Sequence, residues 1–293
     1  MNQTSPSHIR RDAEGLAGGL PPLLAEAQRL AANVNFGVHG RRRSGMGESF
    51  WQYRQAMPGD DMASVDWRRS GRSDTVYIRE LEWEAAHTVA MWCDDAQSME
   101  YRGKAASGTK RERAQLLAMA LSVLLSKGGE RIAFPATDAG EPRTGELHLQ
   151  RIARALSNTG DADYGHAPDF QDLRAARSVF FSDFLGEENA VFDPLKAAAE
   201  SAGVGCIVQI LDESEETFPF DGRVIFQSMG GGVNFETHRA KALREEYQER
   251  LAARCDALES FARKTGWRYL KHHTNESPSA ALLWLYMAIG GQG

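Results

Sequence analysis

From about residue 85 onward, short apolar runs alternate with longer segments of helical pattern. The apolar runs have the length of buried strands and occupy residues 87–93, 131–134, 178–182, 204–211 and 267–270. Strands that alternate with helices are joined by right-handed crossovers, which place the strands parallel in one sheet. The sequence therefore predicts an α/β fold with a doubly wound, mainly parallel sheet.

The helical segments predict the layers that cover this sheet. They are expected at about residues 22–32, 109–126, 148–157, 192–202, 235–264 and 278–289. Pro21-Pro22 favours a helix start, because proline is tolerated in a first turn. Gly128-Gly129 favours a helix end, because glycine readily adopts the backbone conformation that stops a helix.

The part of the chain before the first core strand has a different composition. Residues 1–36 are expected to form a polar tail and the first helix. Residues 37–84 are rich in glycine, arginine and aromatic residues, and residues 75–83 alternate as in an extended strand. We therefore expect three parts: residues 1–36, a β-rich segment over residues 37–84, and the α/β domain over residues 85–293.

Two of the predicted core strands end in an acid. The run from His87 to Cys93 stops at Asp94, with Ser98 four residues later, and the strand at 178–182 ends at Ser182 and is followed by Asp183. Ligands bind at the carboxyl ends of the strands in open parallel sheets. Carboxylate and hydroxyl oxygens suit a hard divalent cation. The sequence therefore predicts a small oxygen-lined cation site at this edge.

Composition and charge exclude some classes of function. The 293 residues carry a formal net charge of −6, which argues against a dedicated nucleic-acid binder. The sequence contains no apolar stretch long enough for a spanning helix and no signal-peptide pattern. The three cysteines are widely spaced and form no CxxC pair, which favours a reducing compartment. We expect a cytoplasmic protein without a nucleic-acid partner or a membrane span.

Two groups of motifs in this sequence are informative in combination. The first group lies in the β-rich segment and comprises Phe50, Arg54, Pro58-Gly59-Asp60-Asp61, Val65-Asp66-Trp67, Arg72 and the acids Glu80, Glu82 and Glu84. The second group follows the two strand ends and comprises Asp94-Asp95-Ala96-Gln97-Ser98-Met99 and Phe181-Ser182-Asp183-Phe184. Together these motifs resemble one bacterial family, the domain of unknown function 58. The resemblance covers roughly residues 37–290, and the combination is more specific than any one motif.

The resemblance implies a von Willebrand factor A-type domain with a small β-rich insertion before its first core strand. Such domains bind Mg²⁺ at a metal-ion-dependent adhesion site and use it to hold an acidic group of a partner. Carried over to this chain, the ligands would be Asp94, Ser98 and Asp183, with Thr137 as the first candidate for the threonine ligand and Thr144 as the second. Ala96 stands where the family motif has its first serine, so one hydroxyl ligand is missing.

The resemblance also implies a partner, a MoxR-type AAA+ ATPase, with which such proteins act in the maturation or assembly of client proteins. The β-rich segment would contribute docking residues, for which the candidates are Arg54, Asp60, Asp61, Asp66 and Arg72. The alternative for these residues is structural packing within the segment itself.

The expected function is therefore non-enzymatic. The sequence has no GxSxG motif, and no cysteine has a nearby histidine that would activate it. Two alternatives stay open: a metal-dependent hydrolase that uses the same acids, and a structural scaffold with an inactive ion site.

Overall fold

The chain forms two compact units, residues 1–37 with 87–293, and residues 38–86. The computed structural model describes residues 22–38, 50–57, 62, 65–71, 75–81, 87–168, 170, 177–201, 203–220, 224–227, 234–237 and 240–290.

The larger unit is built on a five-stranded sheet in which every strand pair is parallel. Its strands are β3 (Thr88–Cys93), β4 (Arg131–Ala133), β5 (Arg177–Ser182), β6 (Val204–Leu211) and β9 (Arg268–His273). The order across the sheet is β4-β3-β5-β6-β9, so the sheet grows outward in both directions from β3 and β5. The predicted α/β fold with a doubly wound parallel sheet is confirmed.

Helices cover both faces of this sheet. Within this unit the helices are α1 (Pro22–Val38), α3 (Lys110–Lys127), α4 (Glu146–Leu156), α5 (Glu188–Ser201), α6 (Glu213–Thr217), α7 (Ala240–Thr265) and α8 (Pro278–Gly290). Alternate residues of β3, β5 and β6 enter two separate apolar cores, because successive side chains of a strand point to opposite faces. Val179 and Phe181 pack with α1, α3, α4 and α8, whereas Phe180 packs with α5 and α7.

Local sequence explains where α3 begins and ends. Thr109 caps the helix: its side chain accepts a hydrogen bond from the Glu112 N–H, and the Glu112 side chain accepts one from the Thr109 N–H. This reciprocal pair is a capping box. The helix ends at Gly128, whose N–H donates to the Leu124 carbonyl. The capped start fixes the first turn of α3 beside the end of β3.

One predicted helix begins later than expected. The pattern predicted a helix over 235–264, but residues Asn234–Thr237 form strand β8, which pairs antiparallel with β7 (Val224–Gln227). The helix α7 begins at Ala240. The hairpin was missed because each strand has only four residues, too few to show an alternating pattern.

The smaller unit contains an antiparallel pair, β1 (Phe50–Gln55) and β2 (Tyr77–Leu81), and the short helix α2 (Trp67–Ser70). The Asp66 side chain caps α2 by accepting from the Arg69 N–H at 3.0 Å. Ser70 links this helix to β2, because its hydroxyl accepts from the Tyr77 N–H at 2.9 Å.

The edge of the larger sheet at β4 is short, and the returning chain covers it. Beyond the three residues of β4, the chain returns and Arg143 forms an antiparallel bridge with Ile132. The Ile132 N–H donates to the Arg143 carbonyl at 2.8 Å, and the Arg143 N–H donates to the Ile132 carbonyl at 3.1 Å.

Among the described residues, no helix combines the length and apolar character that a membrane span requires.

Candidate functional site

Asp94 and Asp183 lie at the same edge of the sheet. They follow β3 and β5, which are neighbouring parallel strands with Cys93 opposite Phe181. The Asp94 N–H donates to the Phe181 carbonyl at 2.8 Å, and the Ser182 hydroxyl donates to Asp94 Oδ2 at 2.6 Å. The two acids that are far apart in the sequence are therefore adjacent in the fold.

Neutral groups surround the carboxylate of Asp94. Besides Ser182, the Ala96 N–H donates to Asp94 Oδ1 at 2.8 Å. Gly165 lies directly against the carboxyl group, since a Cβ added there would come within 2.3 Å of it. Burial and the nearby charge of Asp183 raise the pKa of Asp94 to about 6, although the hydrogen bonds from Ser182 and Ala96 oppose the shift. Asp94 is thus a deeply buried acid held by dipoles.

A buried lysine neutralises Asp183. Lys110 Nζ donates to Asp183 Oδ2 at 2.9 Å and to Glu215 Oε1 at 2.7 Å, and the Lys110 side chain is 1% exposed. Burial alone would lower the pKa of Lys110, but Asp183 and Glu215 together raise it above its usual value. The ammonium is therefore charged, and it joins two carboxylates from different elements.

The elements on both sides hold this ion cluster in place. Lys110 is the first residue of α3, which the Thr109 capping box fixes. Glu215 belongs to a second capping box at the start of α6, in which its Oε2 accepts from the Asp212 N–H at 2.8 Å. Asp183 Oδ1 accepts from the Leu185 N–H at 3.0 Å. Each partner of the ammonium thus has its second oxygen bound to the main chain.

A loop that follows α4 lies over the end of β3. Three hydrogen bonds join its main chain to the main chain of the segment after Asp94: Gly160 N–H to Asp95 O at 3.0 Å, Gln97 N–H to Ala162 O at 2.8 Å, and Ser98 N–H to Asp163 O at 2.9 Å. We call residues 158–168 the covering loop. Because the same loop carries Gly165, it both encloses Asp94 and fixes the turn that contains Ser98.

Arg111 connects the covering loop to the first turn of α3. Its guanidinium donates to the Thr159 hydroxyl at 3.0 Å and to the Asp95 carbonyl at 2.8 Å, and it pairs with Glu100 at 2.5 Å. Arg111 is buried, so these contacts hold the loop, the strand end and the helix start as one structure.

The other predicted metal ligands behave differently from one another. Ser98 Oγ is buried and has no hydrogen-bond partner among the described residues. Thr137 Oγ1 donates to the Phe134 carbonyl at 2.7 Å and accepts from the Ala139 N–H at 3.1 Å, so it serves its own turn. Thr137 does line a cleft of about 190 Å³ together with Asp94, Asp95 and His166. Thr144 lies elsewhere, where its hydroxyl is within 3.1 Å of the Ser126 hydroxyl.

The donor set fits an ammonium better than a divalent ion. Mg²⁺ requires near-octahedral oxygen ligands, and Ala96 supplies no side-chain oxygen. In the described part of the chain, no three His, Cys, Asp or Glu side chains converge as a metal site. Asp183 already binds Lys110, and Gly165 covers Asp94. The buried Ser98 hydroxyl is the observation that agrees with an ion.

The predicted docking residues lie in the smaller unit. Arg54 is in β1 opposite Ile78, and Asp66 caps α2. Asp60, Asp61 and Arg72 lie outside the described residues. The capping bond of Asp66 agrees with the structural alternative for that residue, and docking stays a prediction for all five.

Sequence reasoning assigned no role in the site to Lys110, Glu215 or Gly165. A signal for the lysine was present, because Lys110, Arg111 and Arg113 all fall in the first turn of α3, where the helix dipole disfavours positive charge. All three are buried. Clustered cations at a helix start therefore indicate acidic or carbonyl partners elsewhere in the fold. No comparable signal marked Gly165, whose role depends on the folded loop.

Comparison with known proteins gives a family and uncharacterized relatives. The model of the family described as "Protein of unknown function DUF58" matches residues 52–256. The uncharacterized proteins Mb1516 of Mycobacterium bovis and Rv1480 of Mycobacterium tuberculosis are each 28% identical over 264 residues, which is 85% of this chain and 82% of the relative.

A solved structure is also similar to this chain. It is the crystal structure of conserved hypothetical protein BatB from Bacteroides thetaiotaomicron. It has 14% identity and a TM-score of 0.35, and the similarity covers 68% of this chain and 96% of that one.

Proposed function

The chain belongs to the family described as protein of unknown function DUF58, and on this premise we propose that it is a non-enzymatic protein-interaction module. The interacting surface would be formed by the loops at the carboxyl end of the sheet, around Asp94 and Asp183. The partner would be a MoxR-type AAA+ ATPase, as the family resemblance implies, and the pair would act in the maturation or assembly of other proteins.

The burial of the charged groups carries this proposal. Asp94, Lys110 and Asp183 are each 1% exposed. A catalytic acid or base must come within hydrogen-bonding reach of the substrate, whereas these side chains are bound to one another and to main-chain groups. Such an arrangement supports the shape of the surrounding loops. It favours a surface that recognises a partner over a hydrolase built from the same acids.

Exposed residues of those loops supply the contact surface. Asp95 and Asp161 are exposed near the strand end, and Tyr164 of the covering loop is 42% exposed. An aromatic side chain flanked by carboxylates is suited to a partner with a basic and apolar docking segment. The side chains beneath it would keep this surface in one conformation before binding.

A binding assay tests the proposal. The purified chain and a MoxR-type ATPase from the same source would be combined, and the dissociation constant measured by calorimetry. The double variant Asp95→Lys/Asp161→Lys and the variant Tyr164→Ala should each weaken binding by about tenfold or more, which is about 1.4 kcal/mol. Glu200→Lys, an exposed charge reversal at the end of α5, is the matched control and should bind normally.

The results that contradict the proposal are specific. Full-strength binding by both loop variants would show that the surface lies elsewhere. Hydrolysis of a phosphoester or peptide substrate that disappears in Asp94→Asn would support the hydrolase. If the wild-type chain does not bind the ATPase, the proposed partner is wrong.

A structural scaffold with an inactive ion site is the second candidate. Ala96 and the Lys110–Asp183 contact at 2.9 Å favour it, because both reduce the ligands available to a metal. Mg²⁺-dependent binding stays a prediction from the resemblance, and the buried Ser98 hydroxyl supports it. Calorimetry of the ATPase complex in Mg²⁺ and in EDTA would separate an ion-dependent contact from an ion-independent one.

A further inference from the structure

We propose that Lys110 is the resident cation of this site, and that its ammonium takes the place of the divalent ion implied by the family resemblance. The inference does not depend on the partner proposed above, because its test measures ion binding and stability of the chain alone.

The geometry of the lysine provides the first argument. Nζ lies 2.9 Å from Asp183 Oδ2 and 2.7 Å from Glu215 Oε1. Both distances are those of charge-assisted hydrogen bonds. Nζ also lies 5.7 Å from the centre of the Tyr101 ring, within the range of a cation–π contact. Two carboxylates and an aromatic face thus surround one positive charge.

The balance of charge provides the second argument. An isolated buried carboxylate or ammonium is costly, and such groups persist when they are paired. Lys110 and Asp183 are 1% exposed and Glu215 is 9% exposed. A divalent ion bound to Asp183 would sit beside the ammonium in an environment that screens charge poorly, and the two cations would repel each other. The lysine and the metal are therefore competitors for the same carboxylate.

The fixed backbone provides the third argument. Lys110 begins a helix with a capping box, and Glu215 is the third residue of another. Neither partner needs to move to form the contact, which joins the starts of α3 and α6 to the end of β5. A metal ion bound to Asp183 would likewise be held at the end of β5. The ammonium is held there without depending on the supply of a metal.

The wild-type chain gives the first test. Mn²⁺, which has oxygen-ligand preferences like those of Mg²⁺, would be titrated and its bound fraction read by electron paramagnetic resonance. Thermal unfolding would be measured in EDTA and in millimolar Mg²⁺. The expected result is no stoichiometric Mn²⁺ binding and equal Tm values. Saturable binding of one Mn²⁺ that disappears in Asp94→Asn or Asp183→Asn would overturn the inference, whatever any lysine variant does.

A lysine variant gives the second test. Lys110→Met keeps the length of the side chain and removes its charge, which leaves two buried carboxylates without a cation. The Tm should fall by roughly 10 °C, and added Mg²⁺ or Ca²⁺ should recover part of that loss. Lys127→Met, at the exposed end of the same helix, is the matched control and should show neither effect.

A third variant keeps the test informative if Lys110→Met does not fold. The triple variant Lys110→Met/Asp183→Asn/Glu215→Gln removes all three charges and should fold with no response to Mg²⁺. If Lys110→Met is as stable as the wild type, or if its stability does not respond to divalent ions although it folds, the ammonium does not fill the role of a metal.

Discussion

Asp94 and Asp183 follow neighbouring strands of one sheet, but their carboxylates have different bonding partners. Asp183 accepts a hydrogen bond from the Lys110 ammonium, whereas Asp94 accepts hydrogen bonds from the Ala96 N–H and the Ser182 hydroxyl. Both carboxylates are 1% exposed. The difference lies in the elements that reach them: α3 brings Lys110 to one, and the covering loop brings Gly165 to the other.

This difference indicates what each acid contributes. The charge of Asp183 is compensated, so removing its compensation should be costly. Asp94 is ionised at some cost, since burial and Asp183 raise its pKa to about 6. Asp94 is therefore the acid that responds to pH and to packing, whereas Asp183 is the acid that anchors the structure.

The largest effect on stability should come from removing the two carboxylates that pair with the Lys110 ammonium. In Asp183→Asn/Glu215→Gln, Lys110 stays buried without a counter-charge, and the free energy of unfolding should fall by roughly 3–5 kcal/mol. Asp94→Asn, the matched change at the other strand end, should lower it by about 1 kcal/mol or less at pH 7, because loss of a hydrogen bond is offset by relief of repulsion. Urea denaturation measures the free energy of unfolding of both variants. Equal losses of stability in the two would show that Asp94 and Asp183 do not differ in this way.

The second effect is on the pH dependence of stability. The pKa of Asp94 is about 6 in the folded chain and about 3.9 when unfolded. Between these values the folded state keeps a proton that the unfolded state has lost. Protonation of Asp94 therefore stabilises the folded state. This contribution is complete below about pH 4 and is lost as the pH rises through 6. It should amount to roughly 2–3 kcal/mol. The free energy of unfolding of the wild type and of Asp94→Asn, measured between pH 4 and 7, isolates this contribution. If the two free energies change with pH in parallel, the prediction is wrong.

The third effect tests the packing of the covering loop. Gly165→Ala places a methyl group against the Asp94 carboxyl and should destabilise the fold by about 2 kcal/mol. The cost should shrink in an Asp94→Ala background, where the carboxyl is gone. Gly203→Ala is the control, because an added Cβ there meets nothing within 4 Å. An additive double-mutant cycle, measured by urea denaturation, would show that Gly165 does not enclose Asp94.

The smallest effect concerns the hydroxyl beside Asp94. Ser182→Ala removes a donor to Asp94 Oδ2 and an acceptor for the Phe184 N–H, at a cost of about 1.5 kcal/mol. Ser178, on the same strand, has a buried hydroxyl with no hydrogen-bond partner among the described residues. Ser178→Ala should therefore have almost no effect in thermal unfolding. If both variants behave alike, the Ser182 contact does not support Asp94.

Much of the fold could be predicted from periodicity. The expected strand at 204–211 coincides with β6, and the helix expected over 109–126 differs from α3 by one residue at each end. These elements have strong apolar patterns or clear caps. The hairpin of β7 and β8 could not be predicted in the same way, since its strands are short and the adjacent helix pattern extends into them.

The site could be predicted only in part. The acids that end β3 and β5 were visible, because an apolar run that stops at a charge is a local signal. The contact between Lys110 and Asp183 spans 73 residues, and no local pattern pairs residues so far apart. Thr137 was chosen for its position after a strand, but its hydroxyl is used within its own turn. Long-range pairing and hydroxyl orientation are properties of the folded chain.

The bridge between Ile132 and Arg143 also affects how copies of this protein can meet. An open outer strand offers unpaired amides to any other extended chain, and many proteins aggregate through such contacts. Here the returning backbone occupies both hydrogen-bonding groups of Ile132, and β4 has only three residues. Growth of the sheet by addition of a foreign strand is therefore disfavoured at this margin, and association there would have to use side chains.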